Sequence, residues 1–224
     1  MEIIGYIHTD FVEKFGIPRQ SGLVENGGII TFEPPYNKPD AIRGLEDFSH
    51  IWIIWDFPKA HRESDEDWSP TVRPPRLGGN KRVGVFATRS PFRPNPIGLS
   101  CVEIEKIQID DTKGPLIYVK GADLLDGTPI YDIKPYIPYA DCKLEAKGGF
   151  AKEEPDQIEV EFQCTIPLEV DDHNKRIIED ILKQDPRPSY QKDAERVYGM
   201  KYADFEIKFK GDKTKIVVCD ILFS

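Results

Sequence analysis

His50-Ile51-Trp52-Ile53-Ile54-Trp55-Asp56-Phe57 contains the longest apolar run of the chain, Ile51–Trp55, and its reading decides the fold. The run has the length of a strand and falls far short of the roughly 18 residues a membrane-crossing helix needs. Its residues are β-branched or aromatic and apolar at successive positions, which reads as a central strand covered on both faces. Val83–Ala87 (VGVFA) reads the same way. Ser100–Asp110 carries Val102, Ile104, Ile107 and Ile109; the alternation slips by one between 104 and 107, which predicts a β-bulge. Further outward, Glu2–His8, Gly28–Phe32, Leu116–Lys120 and Pro129–Tyr136 read as short strands between turn signals such as Asp126-Gly127. Only Lys38–Asp47 is a helix candidate among them. Many short strands with little helix predict a closed or nearly closed β-barrel over residues 1–145.

From Ala140 to Asp156 the chain turns polar, with Gly148, Gly149 and Pro155, and reads as a linker. The tail then gives a strand, Gln157–Ile166, and a helix over Leu168–Gln184. Ile177, Ile178, Ile181 and Leu182 share one face of that helix, and Asp171 and Asp172 stand in its first turn, where the helix dipole favours acids. The helix must stop before Asp185-Pro186-Arg187-Pro188. Two strands follow, Tyr202–Lys210 and Lys215–Phe223. The fold class expected is therefore mainly β: an N-terminal β-barrel, 1–145, and a small C-terminal α+β domain, 156–224.

The chain has 224 residues, a net charge of −9, 31% charged and 39% hydrophobic residues, and 12 Phe, 9 Tyr and 3 Trp. Such a chain buries a real core, which excludes a disordered tail protein. Its Gly and Pro show no period, which excludes a fibrous one. The N-terminal MEIIGYIHTD has no basic segment followed by an apolar one, so no secretion signal is expected. Cys101, Cys142, Cys164 and Cys219 are widely spaced, as are His8, His50, His61 and His173. Scattered thiols read as free cysteines of a cytoplasmic protein, and no metal site is expected. No phosphate-binding GxxxxGK[ST], dinucleotide-binding GxGxxG or nucleophile-elbow GxSxG occurs.

Charge is uneven. Val72–Arg93 contains Arg73, Arg76, Lys81, Arg82, Arg89 and Arg93 and no acid. Basic residues on a Pro- and Gly-rich backbone suit phosphates; the competing reading is a loop whose arginines pair with nearby carboxylates. Glu63, Asp65, Glu66 and Asp67 just upstream read as a solvated acidic loop. Ala87–Gly98 holds three prolines between Pro91 and Pro96, a stiff loop of the kind that carries binding groups at strand ends.

Several stretches together resemble the TsaA-like or TrmO family of tRNA methyltransferases, which use S-adenosylmethionine (SAM). They are Ile17-Pro18-Arg19-Gln20, Gly44–His50 (GLEDFSH), Thr71–Gly79 (TVRPPRLGG), Gly84–Ser90 (GVFATRS), Arg93–Gly98 (RPNPIG), Asp126–Pro129 (DGTP) and, in the tail, Asp185–Tyr190 (DPRPSY). Each is weak alone; in this order they span nearly the whole chain. The resemblance implies a β-barrel enzyme that forms homodimers and methylates N6 of N6-threonylcarbamoyladenosine, 3′ of the anticodon in threonine tRNA. It implies cofactor contacts at Pro18, Arg19 and Gln20, at Arg89, at Leu99, and at Asp126, Gly127, Thr128 and Pro129. A further contact falls behind the HIWIIWDF strand, at His61 and Arg62 or at the Pro58–Lys59 backbone.

The chemistry of these residue types fits that implication. An arginine, 19 or 89, suits the carboxylate of SAM, and Asp126 its ammonium or ribose hydroxyls. Methyl transfer needs the nucleophile and the methyl carbon held close and in line. The accepting nitrogen belongs to a urea, so an acceptor for its proton is expected. The candidates are Asn95, Asp126, Asp132 and Tyr136. Asn95-Pro96 is similar to the Asn-Pro start of a loop with which amino-methylating enzymes hold an exocyclic amine. Phosphate contacts are expected from Arg73, Arg76, Lys81, Arg82 and Arg93, and in the tail from Lys183, Arg187, Lys192 and Arg196. The competing functions are a methyltransferase for another adenosine or a small acceptor, and a cofactor-free RNA-binding barrel.

Overall fold

A computed structural model describes residues 1–60, 68–188 and 193–223. Its first part is a closed barrel. The strands are β1 (Gly5–Thr9), β2 (Gly27–Phe32), β3 (His50–Asp56), β6 (Ile97–Asp110), β7 (Gly114–Lys120) and β8 (Thr128–Pro135); β4 (Thr71–Val72) and β5 (Val83–Gly84) form a separate two-stranded ribbon. Around the barrel the order is β1-β2-β7-β6-β3-β8, and β8 pairs back onto β1 to close it, every neighbour antiparallel. Closure leaves no sheet edge to pair with another chain.

Alternation fills the barrel. Ile7, Ile30, Ile51, Ile53, Trp55, Val102, Ile117, Val119 and Ile130 point inward and are buried. On β3 the outer-facing His50, Trp52 and Ile54 are only half-buried, so this strand is covered fully on one face rather than two. The predicted bulge is present, with Glu105 the extra residue between Ile104 and Lys106. Two expectations are corrected. Val83–Ala87 is not a continuous strand: it pairs for two residues and then winds into a 3-10 turn, Val85–Ala87, that buries Val85 and leaves Phe86 outside. Lys38–Asp47 forms two 3-10 turns, Pro39–Ile42 and Leu45–Asp47, because Gly44 between them sits at φ +88°.

After the short helix α1 (Pro138–Asp141) the C-terminal part forms a sheet in the order β10-β11-β12-β9, with β9 (Glu159–Phe162), β10 (Tyr198–Tyr202), β11 (Phe205–Gly211) and β12 (Lys215–Phe223). Helix α2 (Asp172–Lys183) buries Ile177, Ile178, Ile181 and Leu182 in the same core as Ile207, Phe209, Ile216 and Val218. It starts later than its composition suggests because Asp171 caps it, accepting the Asn174 N–H at 2.7 Å. Strand β10 was not anticipated. The run read as one strand from Tyr202 turns back at Ala203, whose φ is +49°, and Tyr202 closes β10.

The connection from β1 to β2 straps the barrel to this second sheet. Phe11 and Val24 are buried in the C-terminal core, with Phe15 and Ile17 packed against it. Phe11 meets Tyr202 edge to face at 5.5 Å, and Phe15 lies parallel to Phe209 at 6.2 Å. Lys201 N–H donates to Glu13 at 2.9 Å and Ala203 N–H to the Asp10 carbonyl at 2.8 Å. Gly16, at φ +97°, lets the strap run under Met200: a Cβ there would lie 2.4 Å from its sulfur. Phe11→Ala should therefore cost about 3 kcal/mol or more, read by urea unfolding, although Phe11 belongs by sequence to the barrel. A loss below about 1 kcal/mol would mean that the strap is not part of the C-terminal core.

Candidate functional site

Closure sorts the connections by end. β1, β3 and β7 finish, and β2, β6 and β8 begin, at the same end of the barrel. The three connections 10–26, 57–96 and 121–127 therefore meet at one mouth. This brings together Pro18-Arg19-Gln20, Arg89, Asn95, the first residues of β6 and the Asp126–Pro129 turn, which are far apart in sequence.

The mouth is organised around the start of β6. Cys101 N–H donates to Ser21 Oγ at 3.2 Å rather than to β3, so the loop carrying residues 18–21 runs along the β6 edge beyond the end of β7. Cys101 faces Trp52, and Leu99 faces Ile54 two positions on. In an antiparallel ladder such positions are of one kind, so the main-chain groups of Leu99 also turn toward that edge. The Leu99 side chain is 54% exposed on the outer face.

Inside the mouth, Trp55 lies across Gly98, where a Cβ would fall 2.1 Å from the indole. Trp55 Nε1 donates to Ser100 Oγ at 3.0 Å, and Ser100 Oγ donates to Asp123 Oδ1 at 2.6 Å. The Ser21 main chain and the Arg89 charge also act on Asp123, each favouring its ionised form. Burial pushes the Asp123 carboxyl above the ordinary range, and the Ser100 hydroxyl partly offsets that. Arg89 in turn donates from Nη1 to Gln20 Oε1. One half-buried carboxylate, bonded to β6 through Ser100, thus stands between the 18–21 loop and Arg89. Sequence reading missed Asp123: it stands three residues before Asp126 in a stretch that reads only as a turn.

The Asp126–Pro129 turn closes the other side. Gly127 N–H donates to the Ile7 carbonyl at 2.9 Å, and Thr128, buried, donates from Oγ1 to the Leu125 carbonyl at 2.6 Å. Asp126 Oδ1 accepts the Thr9 N–H at 3.2 Å and lies 3.4 Å from His8 Nδ1. Pro129 is paired with Tyr6 of β1. Pro18 is buried and Arg19 exposed. His61 and Arg62 lie outside the described residues.

The four candidates for an acceptor are not brought together. Asn95 and Asp126 are at the mouth. Asp132 is on the outer face of β8, level with Ile54 and Leu99, with Oδ1 accepting the Ile133 N–H and Oδ2 2.9 Å from Lys134 Nζ. Tyr136 follows the far end of β8, about 25 Å along the strand from the Asp126 turn at ~3.3 Å per residue. It packs on His50 and Trp52 there.

The basic residues also divide. Arg73, Arg76 and Lys81 are exposed, and among the described residues no carboxylate pairs with them or with Arg82 or Arg93. The nearest acids in sequence, Glu63, Asp65, Glu66 and Asp67, lie outside the described residues. Arg82 donates to Thr71 Oγ1 at 2.7 Å and to Ser69 Oγ at 3.2 Å, so it braces the β4–β5 ribbon with neutral partners. In the tail two of the candidates are engaged within the chain. Arg187 is buried and spends its donors on Asp185 and on the carbonyls of Gly211 and Asp212, so it holds a turn. Lys183 is paired with Glu179 at 2.8 Å and Asp180 at 3.1 Å. Arg196 is exposed beside Tyr198, and Lys192 lies outside the described residues.

Family models for the tRNA-methyltransferase O N-terminal domain and the TrmO C-terminal domain match residues 6–142 and 155–224. A tRNA (adenine(37)-N6)-methyltransferase of Escherichia coli (strain K12) is 42% identical over 219 residues, 93% of this chain and 92% of that protein. A protein of Pseudomonas aeruginosa named as a putative S-adenosylmethionine-dependent methyltransferase, RcsF, is 42% identical over 213 residues, 91% of this chain and 89% of its own. The crystal structure of TrmO from Pseudomonas aeruginosa superposes with a TM-score of 0.79 at 35% identity, covering 99% of this chain and 95% of that one. With both domain models matched in order and the barrel and tail sheet shared with a solved relative, the chain belongs to the tRNA-methyltransferase O (TrmO) family.

Proposed function

We propose that this protein is a SAM-dependent tRNA methyltransferase that methylates N6 of N6-threonylcarbamoyladenosine at position 37 of threonine tRNA, acting as a cytoplasmic homodimer. The observation that carries this reading is the single mouth at which Gln20, Arg89, Leu99 and the Asp126–Pro129 turn meet. The names of the relatives give the reaction class. The carbamoylated adenosine, the threonine isoacceptors, the dimer and the compartment rest on the resemblance of the motifs. The four free thiols, Cys101, Cys142, Cys164 and Cys219, suit a reducing compartment. No helix among the described residues is long and apolar enough to cross a membrane.

The residues at the mouth fit SAM. Arg89 is held by Gln20 and balanced by Asp123, so its remaining donors suit the methionine carboxylate. Asp126, with Oδ1 engaged by Thr9, keeps Oδ2 for the ammonium or a ribose hydroxyl. The Leu99 main chain offers a donor and an acceptor for an adenine edge. When bound, SAM supplies a methyl carbon activated by its sulfonium. The protein's share is alignment of the accepting nitrogen and a place for its proton. Asn95, exposed between Pro94 and Pro96, suits the holding of the amine, and Asp126, at the same mouth, suits the taking of its proton. The segment 156–224 serves in this reading as the tRNA-binding extension. With Arg187 and Lys183 engaged internally, Arg196 remains its described candidate for a phosphate contact.

Two measurements test the reading. Purified protein with methyl-labelled SAM should label threonine tRNA that carries the threonylcarbamoyl group and leave the unmodified transcript unlabelled. Label in neither, with SAM binding intact, would retain the cofactor and remove this substrate. The second is Asp123→Asn, which keeps the acceptor for Ser21 and Ser100 but removes the charge facing Arg89. Its SAM dissociation constant by calorimetry should rise several-fold, on the order of 1 kcal/mol, without loss of thermal stability, because burial opposes the charged form. The sign of the pH effect follows. A raised carboxyl pKa means that Asp123 takes up its proton at a higher pH than an ordinary Asp. SAM affinity should then fall on acidification through that pH in the parent and not in Asp123→Asn. Equal affinities of the two proteins would show that Asp123 does not position Arg89.

A further inference from the structure

The mouth carries exposed aromatic rings that the cofactor reading does not use. Phe86 is 70% exposed, Phe92 66% and Trp68 37%. Trp68 and Phe86 lie 6.4 Å apart, and the Arg93 guanidinium stands 5.9 Å from the Phe86 ring centre. The backbone holds these rings outward. Phe86 occupies the 3-10 turn that buries Val85, closed by Thr88 donating to the Val85 carbonyl from N at 3.1 Å and from Oγ1 at 2.8 Å. Phe92 follows Pro91 and precedes Pro94 and Pro96. Its N–H donates to Ser90 Oγ at 3.3 Å, and Arg93 N–H donates to the Pro91 carbonyl at 2.8 Å. Large rings left in water on a stiff backbone are costly unless something covers them.

Resting on the proposed tRNA reading, we infer that Phe86 and Phe92 stack on unpaired bases of the anticodon loop, with Arg93 and its basic neighbours on the adjoining phosphates. Charge decides the occupant. From Val72 to Arg93 the chain has six basic and no acidic residues, although its net charge is −9. Rings interleaved with cations are the chemistry by which proteins grip single-stranded nucleic acid. A second copy seated on the same patch by two-fold symmetry would bring like charges together.

Both rings are on the surface, so leucine at either position leaves the fold intact, checked by melting temperature. Threonine tRNA binding is measured by fluorescence anisotropy over a series of KCl concentrations, with SAM affinity and oligomeric mass recorded on the same samples. Phe86→Leu and Phe92→Leu should each weaken tRNA binding about five-fold or more. The slope of log affinity against log salt should not change, because no counterion release is lost. Phe86→Tyr and Phe92→Tyr should bind as the parent does, and SAM affinity and mass should stay constant. Leucine variants that bind as the parent does would overturn the inference and leave the tRNA reading standing. A fall in mass with the fall in affinity would overturn it in favour of a subunit interface. A parent protein that binds no threonine tRNA would remove both readings.

Discussion

A carboxylate kept away from water persists only where donors surround it. Asp123, half-buried, has Ser100 Oγ as its donor, and the Ser21 main chain and the Arg89 charge favour its ionised form. Ser21, Arg89 and Asp123 itself lie in the three connections and Ser100 in β6, and the convergence of those connections follows from closing six antiparallel strands into a barrel. Around Asp123 the other features fall into place. Trp55 is fixed by Ser100, Gly98 must lack a side chain to admit Trp55, and β6 begins with its edge turned to the 18–21 loop. The site is a property of the barrel mouth rather than of any one motif.

The second sheet is joined to that mouth by the strap that buries Phe11 and supports Phe15. The strap enters the C-terminal core, passes under Met200 at Gly16 and emerges as Ile17-Pro18-Arg19-Gln20. The residues proposed to hold the cofactor are thus anchored on one side by a segment that the sequence assigns to another unit.

Where hydrophobic period sets the structure, the sequence was readable. The slip at Glu105 and the apolar face of α2 are statements about which side of an element meets the core, whereas β3, apolar at successive positions, hid that only Ile51, Ile53 and Trp55 face it. Where local backbone geometry competes with period, it was not. Val83–Ala87 is apolar enough for a strand, yet it leaves the ribbon after Gly84 in a 3-10 turn. The turn at Ala203 has neither Gly nor Asn to announce its positive φ, so Tyr202, the last residue of β10, looked like the start of β11. Charged residues were the least legible. Arg187 and Arg73 look alike in sequence, but one is buried against Asp185 and two carbonyls and the other faces solvent. Asp126, Asp132 and Tyr136 are near in sequence, but a strand separates its residues by ~3.3 Å each, so they spread along β8. Asp123 lacked any signal because its partners arrive only through folding.

The central claim is that SAM is held at this mouth. The most direct test is a crystal structure of the full chain grown with S-adenosylhomocysteine, which keeps every recognition group of SAM except the methyl. The account predicts density bounded by Gln20, Arg89, the Leu99 main chain and the Asp126–Pro129 turn, with the ligand carboxylate on an arginine. Density elsewhere, such as at the opposite end of the barrel beside Tyr136 or in the groove between Pro18 and Pro186, would contradict it.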